Sequence, residues 1–232
     1  MSSDKIKICI LEDHQSIIDG YLFRLQEEDQ ISIAGIAHYG EDLEKILSEN
    51  SPDILILDIE VPISIKNPNS YPVLTVIPRI RARYPTLIIL VISMHSQSVL
   101  IEKLFQMGVK GYIFKNDYGA ITRLVDIIFA LKSGGLYFGQ GVVEKLRVSR
   151  SNNSKSKLLT SRQLEALSLC EAYPNYSTTE LSERLGVTSS TFRNLLSQAY
   201  ERLGVGTRTA AVAELQRLGI INSQDLTDQK KN

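Results

Sequence analysis

The chain lacks several residue types that mark particular protein classes. It has no tryptophan, two cysteines and three histidines among its 232 residues. Cys9 and Cys170 lie far apart, each within an apolar pattern, so we interpret them as buried thiols rather than as a disulfide or a metal site. No apolar run approaches the ~20 residues of a membrane-spanning helix. Because residues 1–7 are polar and carry no apolar signal region, we expect a cytoplasmic protein with no membrane association.

The net charge of zero conceals an asymmetry between the two ends of the chain. Residues 1–149 hold 15 Lys and Arg against 18 Asp and Glu, a net of −3, and residues 150–232 hold 11 against 8, a net of +3. The two parts meet at Ser149–Lys157, a polar stretch without apolar residues that is typical of an exposed linker. A mildly basic C-terminal part is compatible with nucleic-acid binding but does not establish it.

Apolar, β-branched segments alternate with amphipathic segments through the first part of the chain. The predicted strands are Ile6–Leu11, Ile31–His38, Ile54–Leu57, Leu87–Ser93 and Gly111–Phe114. The predicted helices are His14–Glu27, Gly40–Glu49, Val73–Tyr84, Ser98–Met107 and Tyr118–Lys132. This alternation predicts an α/β domain with a doubly wound, five-stranded parallel sheet.

Polar side chains follow four of these strands at their carboxyl ends, where open α/β sheets bind ligands. They are Glu12 and Asp13, then Asp58, Ser93 and Lys115. Three carboxylates in one place need a cation between them, and an oxygen-only ligand set suits Mg²⁺. Asp58 is a candidate nucleophile because carboxylates form aspartyl-phosphates, with Lys115 as a partner for phosphoryl oxygens. Taken singly, each residue is more typical of a helix cap, a turn or a solvated lysine.

The segments that carry these residues resemble the receiver domain of bacterial two-component response regulators, a flavodoxin-like fold. The matching segments are LEDH, ILILD, VISM and KGYIFK, within residues 1 to about 132. The resemblance implies that Asp58 accepts a phosphoryl group from a sensor histidine kinase. It also implies that Glu12, Asp13, Asp58 and the backbone carbonyl of Glu60 hold Mg²⁺.

The resemblance further implies a switch in which Ser93 moves onto the acyl phosphate and the Tyr112 ring turns inward; an ordinary half-buried tyrosine is the alternative for Tyr112. Two features depart from the family pattern. Pro62 is followed by ISIKNPNSYP, a longer loop without glycine, which we interpret as a tolerated insertion. Met94 replaces the small residue that usually follows the serine and would restrict access to Asp58.

The second part of the chain predicts four helices. Thr160 and Gln163 form a capping box that opens a helix to about Ala172. A short helix from Ser177 or Thr178 to Leu185, a turn at Gly186 and a longer helix over 189–203 make the helix-turn-helix pattern. A last helix runs from Thr207 to Leu218. By periodicity alone, a four-helix bundle with a polar outer face is an equal alternative.

This part resembles the LuxR-type (NarL/FixJ) DNA-binding domain over its whole length, in LTSRQLEALSL, TTELSERLGVTSSTFRNLLSQAYERLGV and TRTAAVAELQRLGII. The resemblance makes 189–203 the recognition helix. The residues that we expect to contact bases or backbone of double-stranded DNA are Ser177, Thr178, Thr191, Arg193, Asn194, Gln198, Arg202 and Arg208. Leu195, where the family often has a polar residue, leaves affinity and target sequence open.

The sequence therefore predicts a receiver domain at 1–135, a linker at 136–157, a DNA-binding domain at 158–222 and a polar tail at 223–232. The predicted function is a transcription regulator controlled by phosphorylation at Asp58 and acting as a homodimer, and not an enzyme apart from possible autodephosphorylation. The alternative is a constitutive dimeric DNA-binding regulator with an atypical receiver. A Mg²⁺-dependent phosphohydrolase is a weaker rival, because it gives the helix-turn-helix domain no role.

Overall fold

The computed structural model describes residues 5–151, 159–218 and 220–221. The chain divides into two compact units, residues 1–153 and 154–232. Residues 152–157, the last part of the predicted linker at 136–157, and the predicted polar tail at 223–232 lie outside the described residues. Within the described ranges, no helix is both long and apolar enough to cross a bilayer.

The first unit alternates strands and helices. Its strands are β1 (Ile6–Leu11), β2 (Ile31–Ala37), β3 (Ile54–Leu57), β4 (Pro62–Ser64), β5 (Asn67–Ser70), β6 (Ile88–Ser93), β7 (Gly111–Phe114) and β8 (Tyr137–Phe138). Its α-helices are α1 (Gln15–Leu25), α2 (Leu43–Asn50), α3 (Val73–Arg83), α4 (Ser98–Gln106), α5 (Tyr118–Thr122), α6 (Leu124–Lys132) and α7 (Gln140–Ser151), with a 3₁₀ turn over Gly40–Asp42 before α2.

Six of the strands form one parallel sheet in the order β2-β1-β3-β6-β7-β8. The apolar run of β3 lies between β1 and β6 and is buried throughout, as expected for a central strand covered on both faces. Leu57 pairs with Leu11 on one side and with Val91 on the other, so these strands end close together at one edge of the sheet. The doubly wound α/β prediction is confirmed.

The strand count differs from the prediction, because the main sheet has six strands rather than five. The sixth, β8, lies inside the stretch that the sequence assigned to a linker. It pairs with β7, and the backbone N–H of Gly139 donates to the Tyr112 carbonyl at 3.0 Å. Phe138 packs on Phe105 with ring centroids 4.1 Å apart, and Val142 of α7 is fully buried. A two-residue strand is too short to show an alternating pattern, so no local signal marks it.

Two further elements differ from the prediction. The helix expected over Tyr118–Lys132 is interrupted at Arg123, which separates α5 from α6. The loop after Pro62 folds into an antiparallel hairpin of β4 and β5. The aromatic ring of Tyr71, just after this hairpin, lies so close to Gly40 that a Cβ on Gly40 would fall 2.1 Å from its Cδ2 atom.

The second unit contains the four predicted helices, α8 (Ser161–Ala172), α9 (Thr178–Leu185), α10 (Ser189–Leu203) and α11 (Arg208–Arg217). Thr160 with Gln163 and Ser177 with Glu180 form complete capping boxes at the starts of α8 and α9. Gly186 ends α9 at a φ of 72°, a left-handed conformation that glycine adopts without strain. The core of the unit includes Phe192, which is fully buried.

Candidate functional site

The carboxyl edge of the sheet brings together side chains from neighbouring strands. Glu12 follows β1, Asp58 follows β3, Ser93 ends β6 and Lys115 follows β7. Glu12, Asp58 and Ser93 are each no more than 2% exposed. Such burial is rare for the carboxylates of Glu12 and Asp58 unless they are paired or bind a cation. The four strand ends that the sequence predicted to lie together are therefore at one edge of the sheet.

Lys115 joins the two buried carboxylates. Its Nζ atom lies 2.7 Å from Glu12 Oε2 and 2.7 Å from Asp58 Oδ2. Burial lowers the pKa of Lys115, but its contacts with Asp58 and Glu12 outweigh burial and leave the pKa above its ordinary value. Burial raises the pKa of Glu12, and the Asp58 charge adds to that rise while Lys115 opposes it. The single ammonium group of Lys115 thus pairs with two carboxylates, so the cluster keeps a net negative charge.

The residues at this edge fit a magnesium ion. Glu12 Oε2 is buried and receives no well-aligned hydrogen bond despite its ion pair with Lys115. Ligand atoms of Glu12, Asp13 and His14 lie within 4.8 Å of one another, and Asp13 is partly exposed, with its Oδ1 2.9 Å from His14 Nδ1. Buried carboxylate oxygens beside a partly exposed one suit Mg²⁺, which binds one or two carboxylates and retains waters.

The backbone after Asp58 also faces its carboxylate. The N–H of Glu60 donates to Asp58 Oδ1 at 3.2 Å, so the peptide segment predicted to supply a metal-binding carbonyl lies beside the predicted phosphoacceptor. The Glu60 carboxylate pairs with His95 Nε2 at 3.0 Å, and His95 Nδ1 lies 2.9 Å from Gln97 Oε1. Burial lowers the pKa of His95, but the contacts with Glu60 and Gln97 raise it by more than burial lowers it. The pKa of His95 therefore lies above its ordinary value.

Tyr112 lies inside the protein in this structure. Its ring is fully buried, and its hydroxyl donates to the His95 carbonyl at 2.9 Å. Burial raises the pKa of the Tyr112 phenol well above its ordinary value. The His95 N–H lies 3.4 Å from Ser93 Oγ, so the segment after β6 is bonded to both predicted switch residues. The inward orientation predicted for the activated protein is the one present here.

Two departures from the family pattern lie near this edge. Met94 is 53% exposed directly after Ser93, and Ile65 in the β4–β5 hairpin is 77% exposed. The Tyr71 N–H donates to the Val61 carbonyl at 2.9 Å and closes the base of the hairpin. The insertion is therefore an ordered element and not an open loop.

The helix-turn-helix of the second unit is fixed by its own polar contacts. Ser182 of α9 is 2% exposed, and its Oγ atom lies 3.0 Å from Ser189 Oγ at the start of α10. Thr188 caps α10 by accepting from the Thr191 N–H at 3.2 Å. Phe192 and Leu196 are buried on one face of α10, which leaves its opposite face open.

Most of the predicted DNA-contacting residues lie on accessible surface. The exposed ones are Ser177, Thr191, Arg193, Asn194, Gln198 and Arg202, and Thr178 is partly exposed. Ser177 is already engaged in the α9 capping box with Glu180, where its Oγ lies 2.7 Å from Glu180 Oε2. Their role in binding DNA stays a prediction.

Arg208 has a different environment from the one that the sequence suggested. Its guanidinium donates to the carbonyls of Tyr176 at 2.8 Å, Tyr173 at 2.8 Å and Cys170 at 3.2 Å. These carbonyls belong to the end of α8 and the turn after it, where helix carbonyls lack partners within the helix. Arg208 thus ties α11 to α8, and its contact with the DNA backbone stays a prediction.

Sequence reasoning missed two polar clusters in this unit. Arg184 lies over the rings of Tyr173 and Tyr176, 4.3 Å and 5.1 Å from their centroids. Gln163, recognised only as a capping residue, also donates through Nε2 to Gln198 Oε1 at 3.2 Å. Both contacts join residues far apart in the sequence, so local patterns could not reveal them.

The fold and the site define a receiver domain of the response regulator class. Residues 8–128 match the family described as "Response regulator receiver domain", and the chain belongs to this family. The chain is 27% identical over 218 residues to the transcriptional regulatory protein MctR of Rhizobium johnstonii, covering 94% of this chain and 96% of MctR. It is 25% identical over 234 residues to the transcriptional regulatory protein DegU of Brevibacillus brevis, covering 92% and 94% of the two chains.

Solved structures show the same fold. RcsB from Salmonella enterica serovar Typhimurium, bound to promoter rprA in the presence of the phosphomimetic BeF3−, matches with a TM-score of 0.65 at 19% identity, covering 92% of this chain and 99% of RcsB. A second RcsB structure, bound to promoter P1flhDC, matches with the same TM-score of 0.65 at 21% identity, covering 92% and 100%. The similarity extends over both units of the chain.

Proposed function

We propose that this protein is a DNA-binding transcription regulator controlled by phosphorylation of Asp58. The observation that carries the proposal is the Glu12–Lys115–Asp58 cluster at the sheet edge, in a chain that also contains a helix-turn-helix unit. The relatives named as transcriptional regulatory proteins match along nearly the whole chain. The upstream partner is a sensor histidine kinase, and the site of action is the bacterial cytoplasm.

The geometry supports phosphoryl transfer to Asp58. An Asp58 carboxylate oxygen attacks the phosphorus atom of a phosphohistidine, the P–N bond breaks, and its electron pair leaves on the imidazole nitrogen, which takes a proton. Lys115 neutralises charge on the phosphoryl oxygens as it now neutralises Asp58. Bound Mg²⁺, held by Glu12, Asp13, Asp58 and the Glu60 carbonyl, would supply further positive charge there.

Phosphorylation changes the partners of Lys115 and Ser93, and through them the balance between two receiver states. Ser93 Oγ and the Tyr112 hydroxyl are both bonded to the segment at His95, so this segment can report the state of Asp58. The active state pairs two chains, whose α10 helices read two half-sites of a DNA duplex. Autodephosphorylation by water attack on the acyl phosphate would reset the switch.

The constitutive regulator is the second candidate, and exposed Met94 beside Ser93 is the observation that bears on it. In that case the receiver would fold and dimerise without ever being phosphorylated. The complete set of buried carboxylates and Lys115 disfavours it, because burying such charges without use costs stability.

The deciding experiment is incorporation of phosphate from acetyl phosphate into the full-length protein, with and without Mg²⁺. We expect Mg²⁺-dependent labelling that is lost in Asp58→Asn and retained in Asp126→Asn, since Asp126 is an exposed carboxylate on α6. The labelled protein should differ from the unlabelled protein in the molar mass that light scattering measures, and it should bind DNA more tightly. Absence of labelling in well-folded protein that still binds DNA would favour the constitutive regulator.

A further inference from the structure

Gln163 links the start of the second unit to the face of α10 that is open for DNA. The Gln163 side chain is 1% exposed. Its Oε1 accepts from the Thr160 N–H at 2.9 Å, which closes the capping box of α8. Its Nε2 lies 3.2 Å from Oε1 of Gln198, an exposed residue on α10. The buried amide of Gln163 thus binds the oxygen of the exposed Gln198 amide.

These bonds determine the orientation of both amide groups. A backbone N–H can only donate, so the Gln163 atom that meets Thr160 must be the oxygen. The other amide atom of Gln163 is then the NH₂ group, a donor, and its partner on Gln198 must be an oxygen. Because Nε2 and Oε1 lie on opposite sides of the amide carbon, the Gln198 NH₂ group points away from the buried Gln163.

The surroundings of Gln198 place this NH₂ group on the surface that includes Arg193 and Asn194. Gln198 follows Asn194 by four residues, and such residues are neighbours on a helix surface. All three are exposed. A glutamine that recognises adenine needs both its donor and its acceptor for a bidentate contact. Gln198 has its oxygen turned to Gln163, so it presents mainly a donor.

We propose that Gln163 is a positioning residue that fixes Gln198 as a hydrogen-bond donor toward DNA. The DNA atom that Gln198 meets is then an acceptor: O6 or N7 of guanine, N7 of adenine, O4 of thymine, or a phosphate oxygen. Adenine N6 and cytosine N4, which are donors, are disfavoured at that position. This inference rests on the proposed function, because it requires α10 to bind DNA.

The test is the substitution Gln163→Glu in the full-length protein. A carboxylate still accepts from the Thr160 N–H, so the capping box survives, but it has no donor for Gln198. The Gln198 amide then turns its NH₂ group inward and its oxygen toward DNA. Both proteins, activated with beryllofluoride and Mg²⁺, are used to select sequences from a randomised duplex pool and to measure affinity.

If Gln198 reads a base, the preference at one position of each half-site shifts toward adenine or cytosine, whose N6 and N4 groups donate to an outward-facing oxygen. We expect a change of about threefold to tenfold in relative affinity, the range for one hydrogen bond. If Gln198 meets a phosphate, affinity falls by a similar factor for all sequences and the preference is unchanged. An unchanged preference together with an unchanged affinity would overturn the inference.

A second background separates positioning from added charge. In Gln198→Ala, the Gln163→Glu change should have no further effect on DNA binding, because the group that it reorients is absent. A loss of the same size in that background would arise from the new charge alone and would overturn the inference. A wild-type protein that selects no sequence would instead overturn the proposed function, and this inference with it. Equal melting temperatures of wild type and Gln163→Glu would show that the cap is intact.

Discussion

At the scale of single residues, charge balance at the carboxyl edge of the sheet governs the receiver unit. Lys115 contacts both Glu12 and Asp58, while Asp13 follows Glu12 and has its Oδ1 atom 2.9 Å from His14 Nδ1. One lysine ammonium thus pairs with two carboxylates, and Asp13 adds a third negative charge beside Glu12. This imbalance favours a bound cation, which would relieve repulsion among carboxylates that the fold holds in place.

We therefore expect Mg²⁺ to raise the melting temperature of the first unit. A ligand that binds only the folded state adds about 2.7 kcal/mol at a concentration 100 times its Kd. In Asp13→Asn, a higher Mg²⁺ concentration should be needed for the same shift, because one oxygen ligand loses its charge. The measurement is thermal unfolding at constant ionic strength. Identical responses of wild type and variant would argue against Asp13 as a ligand.

A single acid in the second unit gives a pH dependence with a definite sign. Burial raises the pKa of Glu171 from 4.5 to about 7. Because the folded state holds the proton more tightly than the unfolded state, the contribution of Glu171 to stability is fully present below pH 4.5 and is lost as the pH rises through 7. At 1.36 kcal/mol per pKa unit, the loss is about 3 kcal/mol as an order of magnitude.

Glu171→Gln should remove this loss, since a neutral amide does not titrate. The second unit of the variant should then be more stable than wild type at pH 8 and similar to it at pH 5. Hydrogen exchange of the α8 amides in the full-length protein reports on this unit specifically. The idea fails if the pH dependence of α8 protection is the same in both proteins.

At the scale of elements, a close contact between backbone and ring anchors the β4–β5 hairpin. The Tyr71 ring occupies the space where a Cβ on Gly40 would lie. Only glycine leaves this room, although its backbone does not have a positive φ. The hairpin therefore depends on a residue about thirty positions earlier in the chain.

Gly40→Ala should force the Tyr71 ring away and destabilise the first unit by about 1–3 kcal/mol, the usual cost of overpacking. Combining it with Tyr71→Ala should cost much less than the sum of the single changes, because the clash disappears with the ring. Urea unfolding of the two single variants and the double variant measures this coupling. Additive costs would show that the two residues do not compete for the same space.

The extension formed by β8 and α7 shows how tertiary contacts recruit a segment that local patterns leave unassigned. Tyr137 and Phe138 gain a strand partner in β7, and the Gly141 backbone lies against the Phe114 ring. Their sequence contains glycines and only scattered apolar residues, which favour a linker by composition. Packing against β7 and α4 gives those few apolar residues enough burial to fold.

At the scale of the whole molecule, the two parts of the chain carry net charges of opposite sign. The first part, with a net charge of −3, contains the cluster of Glu12, Asp58 and Lys115. The second part, with a net charge of +3 over residues 150–232, contains the helix-turn-helix. Attraction of basic residues to phosphates depends on salt, whereas base contacts do not.

We expect the logarithm of the DNA-binding constant to fall linearly with the logarithm of salt concentration. Arg193→Ala or Arg202→Ala should make the slope shallower by about 0.9 for each phosphate that the variant no longer neutralises. Asn194→Ala should leave the slope unchanged, because its amide carries no charge. Fluorescence anisotropy of a labelled duplex at several salt concentrations provides the slopes. A slope unchanged by either arginine variant would remove both residues from the phosphate interface.

The sequence by itself determined the features that depend on local pattern. The continuous apolar run of β3, the alternation of strands with helices and the capping box at Thr160 each follow from spacing along the chain. The topology of a parallel sheet then places the strand ends at one edge. For this reason the grouping of Glu12, Asp58, Ser93 and Lys115 could be predicted without coordinates.

Only the tertiary structure decided which of several possible partners each polar side chain takes. Arg208 was expected to contact DNA, but its guanidinium satisfies carbonyls at the end of α8. Gln163 was expected only to cap, but it also orients Gln198. A guanidinium or an amide bonds to any suitable group within about 3 Å. The group that lies within this distance depends on how segments far apart in the sequence pack against each other. The order of residues along the chain does not reveal that packing.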